Sequence, residues 1–255
     1  MKRFRRIVLP GLLVFGLTLS LAVWAFHGRQ TVYILMYHHV VEDGKDCNNW
    51  TVTTSQLRED LQWLTDHGYT TLLPSELVQL AQQGEVPKRS VLITFDDGYA
   101  SNFQLALPVL KEFNAKAVVS VVTGYMGKPS FLTWDMCREL ADSGLVEIGS
   151  HTHDCHASAQ GIQRFSGESQ EEYQERVFAD LQTSIDLIES NVGQKVLFFA
   201  YPNGLTDSWC DDFIKERFAM TVTTKHGPAN VSKGLYKLSR YNINKSAPVS
   251  CKLPK

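Results

Sequence analysis

Short apolar runs rich in β-branched residues recur along this chain, each separated from the next by a polar turn or a helical pattern. Residues 32–37, 91–95, 117–122, 145–148, 196–200, 219–223 and 235–243 read as strands. Between them, Leu57, Leu61 and Leu64 mark a helix for which Ser55 is the expected N-cap, and a short helix is expected over 75–83. Phe103, Leu107, Leu110 and Phe113 mark another, with Pro108 expected near its start or at a bend. Further helices are expected over 133–142, capped by Thr133, and over 169–190 and 207–217. Apolar strands alternating with helices predict a parallel sheet covered by helices. Seven or so strands are many for a small open sheet and suggest closure into a barrel. In either arrangement the polar residues that follow the strands gather at one rim.

Two of those rim stretches are rich in chemistry. Thr94-Phe95-Asp96-Asp97-Gly98 places two carboxylates and a glycine where a strand ends. Unpaired carboxylates are costly in a core, and consecutive strand residues point to opposite sides, so the two aspartates need not share a job. Gly98 allows the sharp exit that turns both toward one cleft. The second stretch, His151-Thr152-His153-Asp154-Cys155-His156, holds three histidines and a cysteine within six positions. Two imidazoles and one carboxylate leave a coordination position open on a tetrahedral ion, the pattern of a catalytic metal. Spacing alone leaves the histidine pair open, because His151 and His153 would share one side of an extended strand.

These stretches resemble the polysaccharide deacetylases of carbohydrate esterase family 4. Thr94 to Gly98 matches the family's first motif, His151-Thr152 with His156 the second, and Tyr201-Pro202-Asn203-Gly204 approximates the third. The resemblance extends over about residues 32–245. It implies a distorted (β/α) barrel of about seven strands, and a metal held by Asp97, His151 and His156. Zinc is the expected ion, with nickel or cobalt as alternatives. It further implies Asp96 as general base, and backbone N–H groups around Tyr201 and Asn203 for oxyanion and substrate. Three departures stand out. Ala200 occupies the place of an arginine that orients the base, Asn203 that of a tyrosine, and no Leu-x-His supplies an acid near the C-terminus. His38, where the first strand ends, is the candidate acid, as in the subgroup acting on exported poly-N-acetylglucosamine; a core or supporting histidine is the other reading. His226 is a weaker substitute. Arg240 either replaces the missing arginine or pairs with a surface acid, and the surface pair is expected.

Residues 7–26 carry no charge and follow Lys2, Arg3, Arg5 and Arg6. This predicts a membrane anchor or signal segment over 1–29, with the retained anchor favoured, and a deacetylase domain over 30–255 outside the cytoplasm. The first 29 residues carry +5 of a total of −2, leaving −7 on the remainder, which excludes a nucleic-acid partner. The five cysteines form no Cys-x-x-Cys pair and no assignable disulfide, and Cys155 is read as a bystander among the histidines. The function expected is metal-dependent removal of N-acetyl groups from an N-acetylated extracellular polysaccharide. A glycan-binding protein with a degenerate site, and a Mg²⁺-dependent phosphoryl-transfer enzyme, are the alternatives.

Overall fold

The computed structural model of the chain describes residues 30–255. The expected membrane or signal segment over 1–29 lies outside these residues; among the described residues no helix is long and apolar enough to cross a membrane. Seven strands close a ring in which every pairing is parallel. They are β1 (Thr31–Tyr37), β5 (Ser90–Phe95), β6 (Ala117–Val121), β7 (Val146–Ser150), β8 (Phe198–Ala200), β9 (Met220–His226) and β11 (Leu238–Asn242). β1 pairs with β5 on one side and β11 on the other, which closes the barrel. The remaining contacts run β5–β6–β7–β8–β9–β11. β4 (Thr70–Thr71) adds to β5 in parallel and β10 (Ala229–Asn230) to β1 in antiparallel. A separate ladder joins β2 (His39–Val41) to β3 (Thr51–Thr53) above the end of β1. These three-residue strands are too short to leave a periodic signal.

Period-two alternation separates two apolar layers. Val32, Ile34, Leu92, Val118, Phe198, Met220, Val222 and Leu238 fill the barrel interior. Leu35, Ile93, Phe95, Val119, Ile148 and Phe199 face outward against helical residues such as Leu57, Leu61, Leu110, Leu140, Val177, Leu181 and Ile185. The helices are α1 (Thr54–Asp66), α2 (Pro74–Gln83), α3 (Leu107–Glu112), α4 (Trp134–Asp142), α5 (Gln170–Val192) and α6 (Asp211–Arg217). α2 sends Leu77 into the interior cluster, and its Ser75 bonds Glu147 of β7, so it covers the N-terminal end of the barrel.

Two local expectations are corrected. Thr53, not Ser55, caps α1, with its side-chain oxygen accepting from the Gln56 N–H. Ser55 instead donates to Asp43, because the incoming β3 strand sets the helix start two residues earlier. Thr133 caps α4 as expected. The helical stripe around Pro108 begins as one π-helical turn, Asn102–Ala106, before α3. Pro108 therefore falls where the π-helical turn passes into α3, an irregularity that accommodates its missing N–H.

Candidate active site

Five of the candidate residues sit just past the C-terminal end of a barrel strand. Asp96 and Asp97 follow β5, His151 follows β7, Tyr201 follows β8 and His38 follows β1. With Trp50, Asn48, His39, Tyr99, Asn203, Thr224 and His156 they line one cleft of about 340 Å³. Gly98 turns the chain at φ +75, and a Cβ there would stand 3.0 Å from Val121 Cγ1, so both backbone and space demand glycine.

The two aspartates diverge. Asp97 turns into the cleft with a left-handed backbone, φ 74. Its carboxylate oxygen lies 3.1 Å from His156 Nε2 and 3.5 Å from His151 Nε2. One donor atom from each of the three residues falls within 4.8 Å of the others. His151 Nδ1 donates to the Ala200 carbonyl at 2.7 Å, leaving the Nε2 lone pair for the cleft, the outer-shell support a metal-binding imidazole requires. The donor set, two neutral imidazoles and a carboxylate, fits a divalent ion of zinc type. Burial would raise the Asp97 carboxyl, but the neighbouring His151 and His156 rings outweigh it and hold it well below the usual carboxylate range. His153 is turned elsewhere, with Nδ1 2.9 Å from Thr123 Oγ1 and Nε2 3.6 Å from Asp154, so the rival pairing of His151 with His153 is not formed.

Asp96 is buried, and so is its partner. Arg240 Nη1 donates to Asp96 Oδ1 at 2.8 Å, and Nη2 lies 2.7 Å from Oδ2 as an ion-pair contact. The guanidinium also donates to Thr94 Oγ1 at 3.0 Å and to the Thr223 carbonyl at 2.8 Å. The expected surface pair for Arg240 is thus overturned: at 1% exposure it lies inside the barrel mouth, where β11 adjoins β1. A two-point guanidinium clamp fixes the plane of the carboxylate. Burial pushes Asp96 upward, and the Arg240 charge overcomes this, so the carboxyl stays below its ordinary value. Arg240, on a strand 40 residues beyond Ala200, thus stands against the acid that the resemblance expects an arginine to orient.

His38 borders the same cleft, its ring edge-on to Trp50 with centroids 4.8 Å apart. Its Nδ1 is buried and has no hydrogen-bond partner among the described residues. Burial lowers its pKa, against the pull of Asp96 and Asp97. Of the N–H groups expected around Tyr201, its own is engaged, donating to the Val222 carbonyl at 3.0 Å, and the Tyr201 ring is buried edge-on against Phe199. Asn203 takes the left-handed turn at φ 56, and its N–H finds no acceptor among the described residues. Cys155 Sγ points to Arg176, burial pushes its thiol up to about 12, and it is not among the donor atoms that converge on Asp97. All five cysteines are free. His226 packs edge-on to Tyr241 away from the cleft. Trp134 and Trp209 pack against the core, whereas Trp50, unremarkable in the sequence, is 52% exposed at the cleft rim.

A parallel barrel with this rim of aspartates and histidines defines a hydrolase of the polysaccharide deacetylase type. A family model for polysaccharide deacetylase matches residues 83–217, and the chain belongs to that family. It is 32% identical over 213 residues to the Bacillus subtilis polysaccharide deacetylase YxkH, covering 83% of this chain and 71% of that protein. It is 28% identical over 232 residues to the poly-beta-1,6-N-acetyl-D-glucosamine N-deacetylase of Escherichia coli K12, covering 78% of this chain but 34% of that enzyme. Among solved structures, a de-N-acetylase from Aggregatibacter actinomycetemcomitans superposes with a TM-score of 0.74 at 26% identity, covering 87% of this chain and 98% of that one.

Proposed function

We propose that this chain is a metal-dependent deacetylase that hydrolyses the acetamide of N-acetylglucosamine units in an exported polysaccharide, releasing acetate and leaving a free amine. The observation that carries this reading is the convergence of Asp97, His151 and His156 beside the buried Asp96–Arg240 pair. Asp97, His151 and His156 hold the ion, zinc first and nickel or cobalt as alternatives. When bound, such an ion supplies Lewis acidity to the acetamide carbonyl and to a water. Asp96 accepts the proton of the attacking water, and Arg240 keeps that carboxylate charged and oriented at neutral pH. The Asn203 N–H faces the developing oxyanion, and Tyr201 holds the turn that presents it. His38 in its protonated form gives the departing amine its proton and recovers one from solvent.

The names of the relatives support poly-β-1,6-linked N-acetylglucosamine as the polymer. Trp50 offers an exposed ring at the cleft rim for the apolar face of a sugar. The basic-flanked apolar segment over 7–26 supports a domain held outside the cytoplasmic membrane. The test is acetate release from β-1,6-linked N-acetylglucosamine oligomers by metal-stripped protein reloaded with zinc, nickel or cobalt. Release that chelator abolishes and metal restores is expected. No release from any oligomer under any of the three metals overturns the proposal, and oligomer binding unaffected by chelator would make the chain a glycan-binding protein instead.

A further inference from the structure

We infer that Asp180 of α5 is the positioning residue that shapes the loop between His151 and His156 for its ion; the inference rests on the metal reading proposed above. The Asp180 carboxylate accepts from three consecutive backbone N–H groups. Oδ1 takes that of His153 at 2.9 Å, and Oδ2 takes those of Asp154 at 2.6 Å and Cys155 at 2.9 Å. Successive amides converging on an anion form a nest whose dipoles favour negative charge. Asp180 has no ion-pair partner among the described residues.

The loop needs an external template. Thr152 sits at φ 77, a left-handed conformation that a β-branched residue adopts only under strain. Such strain persists where surrounding contacts over-determine it. Inside the loop, the His156 N–H bonds Thr152 Oγ1 at 3.1 Å and the Thr152 N–H bonds Ser150 Oγ at 3.2 Å. From outside, α5 contributes Asp180 and, one turn on, Ser184, whose hydroxyl lies 2.8 Å from that of Ser150. One helix face therefore holds the strand end before His151 and the three residues before His156. Turning those three amides onto Asp180 directs the His153 ring to Thr123 and brings His156 back over Asp97.

Asp180→Asn keeps the size but presents an amide N–H₂ to donors that need an acceptor. In metal-free protein, hydrogen exchange of the 153–155 amides should accelerate. The zinc dissociation constant, measured by chelator competition, should rise about 10- to 100-fold, the usual cost of losing an outer-shell support. Faster exchange with a dissociation constant within about twofold of wild type would reduce Asp180 to a loop-stability role and overturn the inference. Unchanged exchange would overturn it as well. If wild type itself binds none of the three metals, the metal reading fails, and the exchange measurement still decides whether Asp180 holds the loop. Should Asp180→Asn not fold, Asp180→Glu, which keeps the charge on a longer arm, is read against the same two measurements.

Discussion

Asp96 and Asp97 adjoin in sequence and meet opposite surroundings: a buried guanidinium for one, two imidazoles for the other. Their substitutions should therefore fail differently. Asp97→Ala removes the one anionic donor of the cluster, so metal content and turnover should fall together. Asp96→Asn should retain the metal and lose roughly 10²- to 10⁴-fold in kcat, the range for a general base. It also leaves Arg240 buried without a counter-charge, which costs about 3–5 kcal/mol of stability, so kcat and metal content are compared well below its lowered melting temperature. Loss of metal from both variants would mean a shared ligand role, and an active Asp96→Asn would remove the base assignment. The divergence of the two aspartates was legible from strand alternation, because adjacent side chains leave a strand on opposite sides. The Arg240 partner was not. Alternation puts Arg240 on the same face as Leu238, but no local pattern says that this face meets an acid 144 positions earlier in the chain.

At the scale of elements, strands and helices with several apolar residues were legible, and short ladders and helix starts set by tertiary contacts were not. The C-terminal segment is a case in which the contact is decisive. Asp60 of α1 is 2% exposed and accepts from Tyr37 Oη at 2.9 Å, Gln56 Nε2 at 3.1 Å and the Val249 N–H at 2.9 Å. It thereby ties the end of β1 to the last turn of the chain. Burial pushes its carboxyl from 3.8 up to about 6, outweighing those hydrogen bonds. A carboxyl with a higher pKa in the folded chain binds its proton more tightly there. Its stabilising contribution is complete below about pH 4 and is lost as pH rises through about 6. Asp60→Asn keeps an oxygen for the Val249 N–H and cannot ionise. The stability difference between the two proteins should shift in favour of asparagine by roughly 3 kcal/mol from about pH 4 to about pH 7. Urea melts of the metal-free proteins across that range measure it, and a difference that stays flat with pH would mean that Asp60 is already ionised when buried.

For the whole molecule, closure decides which part of the sequence can stand alone. Asp97, His151 and His156 all lie within residues 83–217, the stretch that matches the family model. That stretch carries β5, β6, β7 and β8 but not β1, β9 or β11, and so neither His38 nor Arg240. Cut there, the outer edges of β5 and β8 would expose unpaired backbone groups, and the interior residues Leu92, Val118 and Phe198 would lose Val32, Ile34, Met220 and Val222. Asp96 would keep its charge without its guanidinium. A protein of residues 30–255 should therefore unfold in one cooperative transition and bind zinc, while a fragment of 83–217 should do neither, although every proposed ligand is present in it. Thermal melts with and without zinc, and chelator competition on both, test this. A fragment of 83–217 that binds zinc with the affinity of 30–255 would show that the ligand geometry is set by the β5–β8 segment and its loops, with barrel closure serving only the base and the acid.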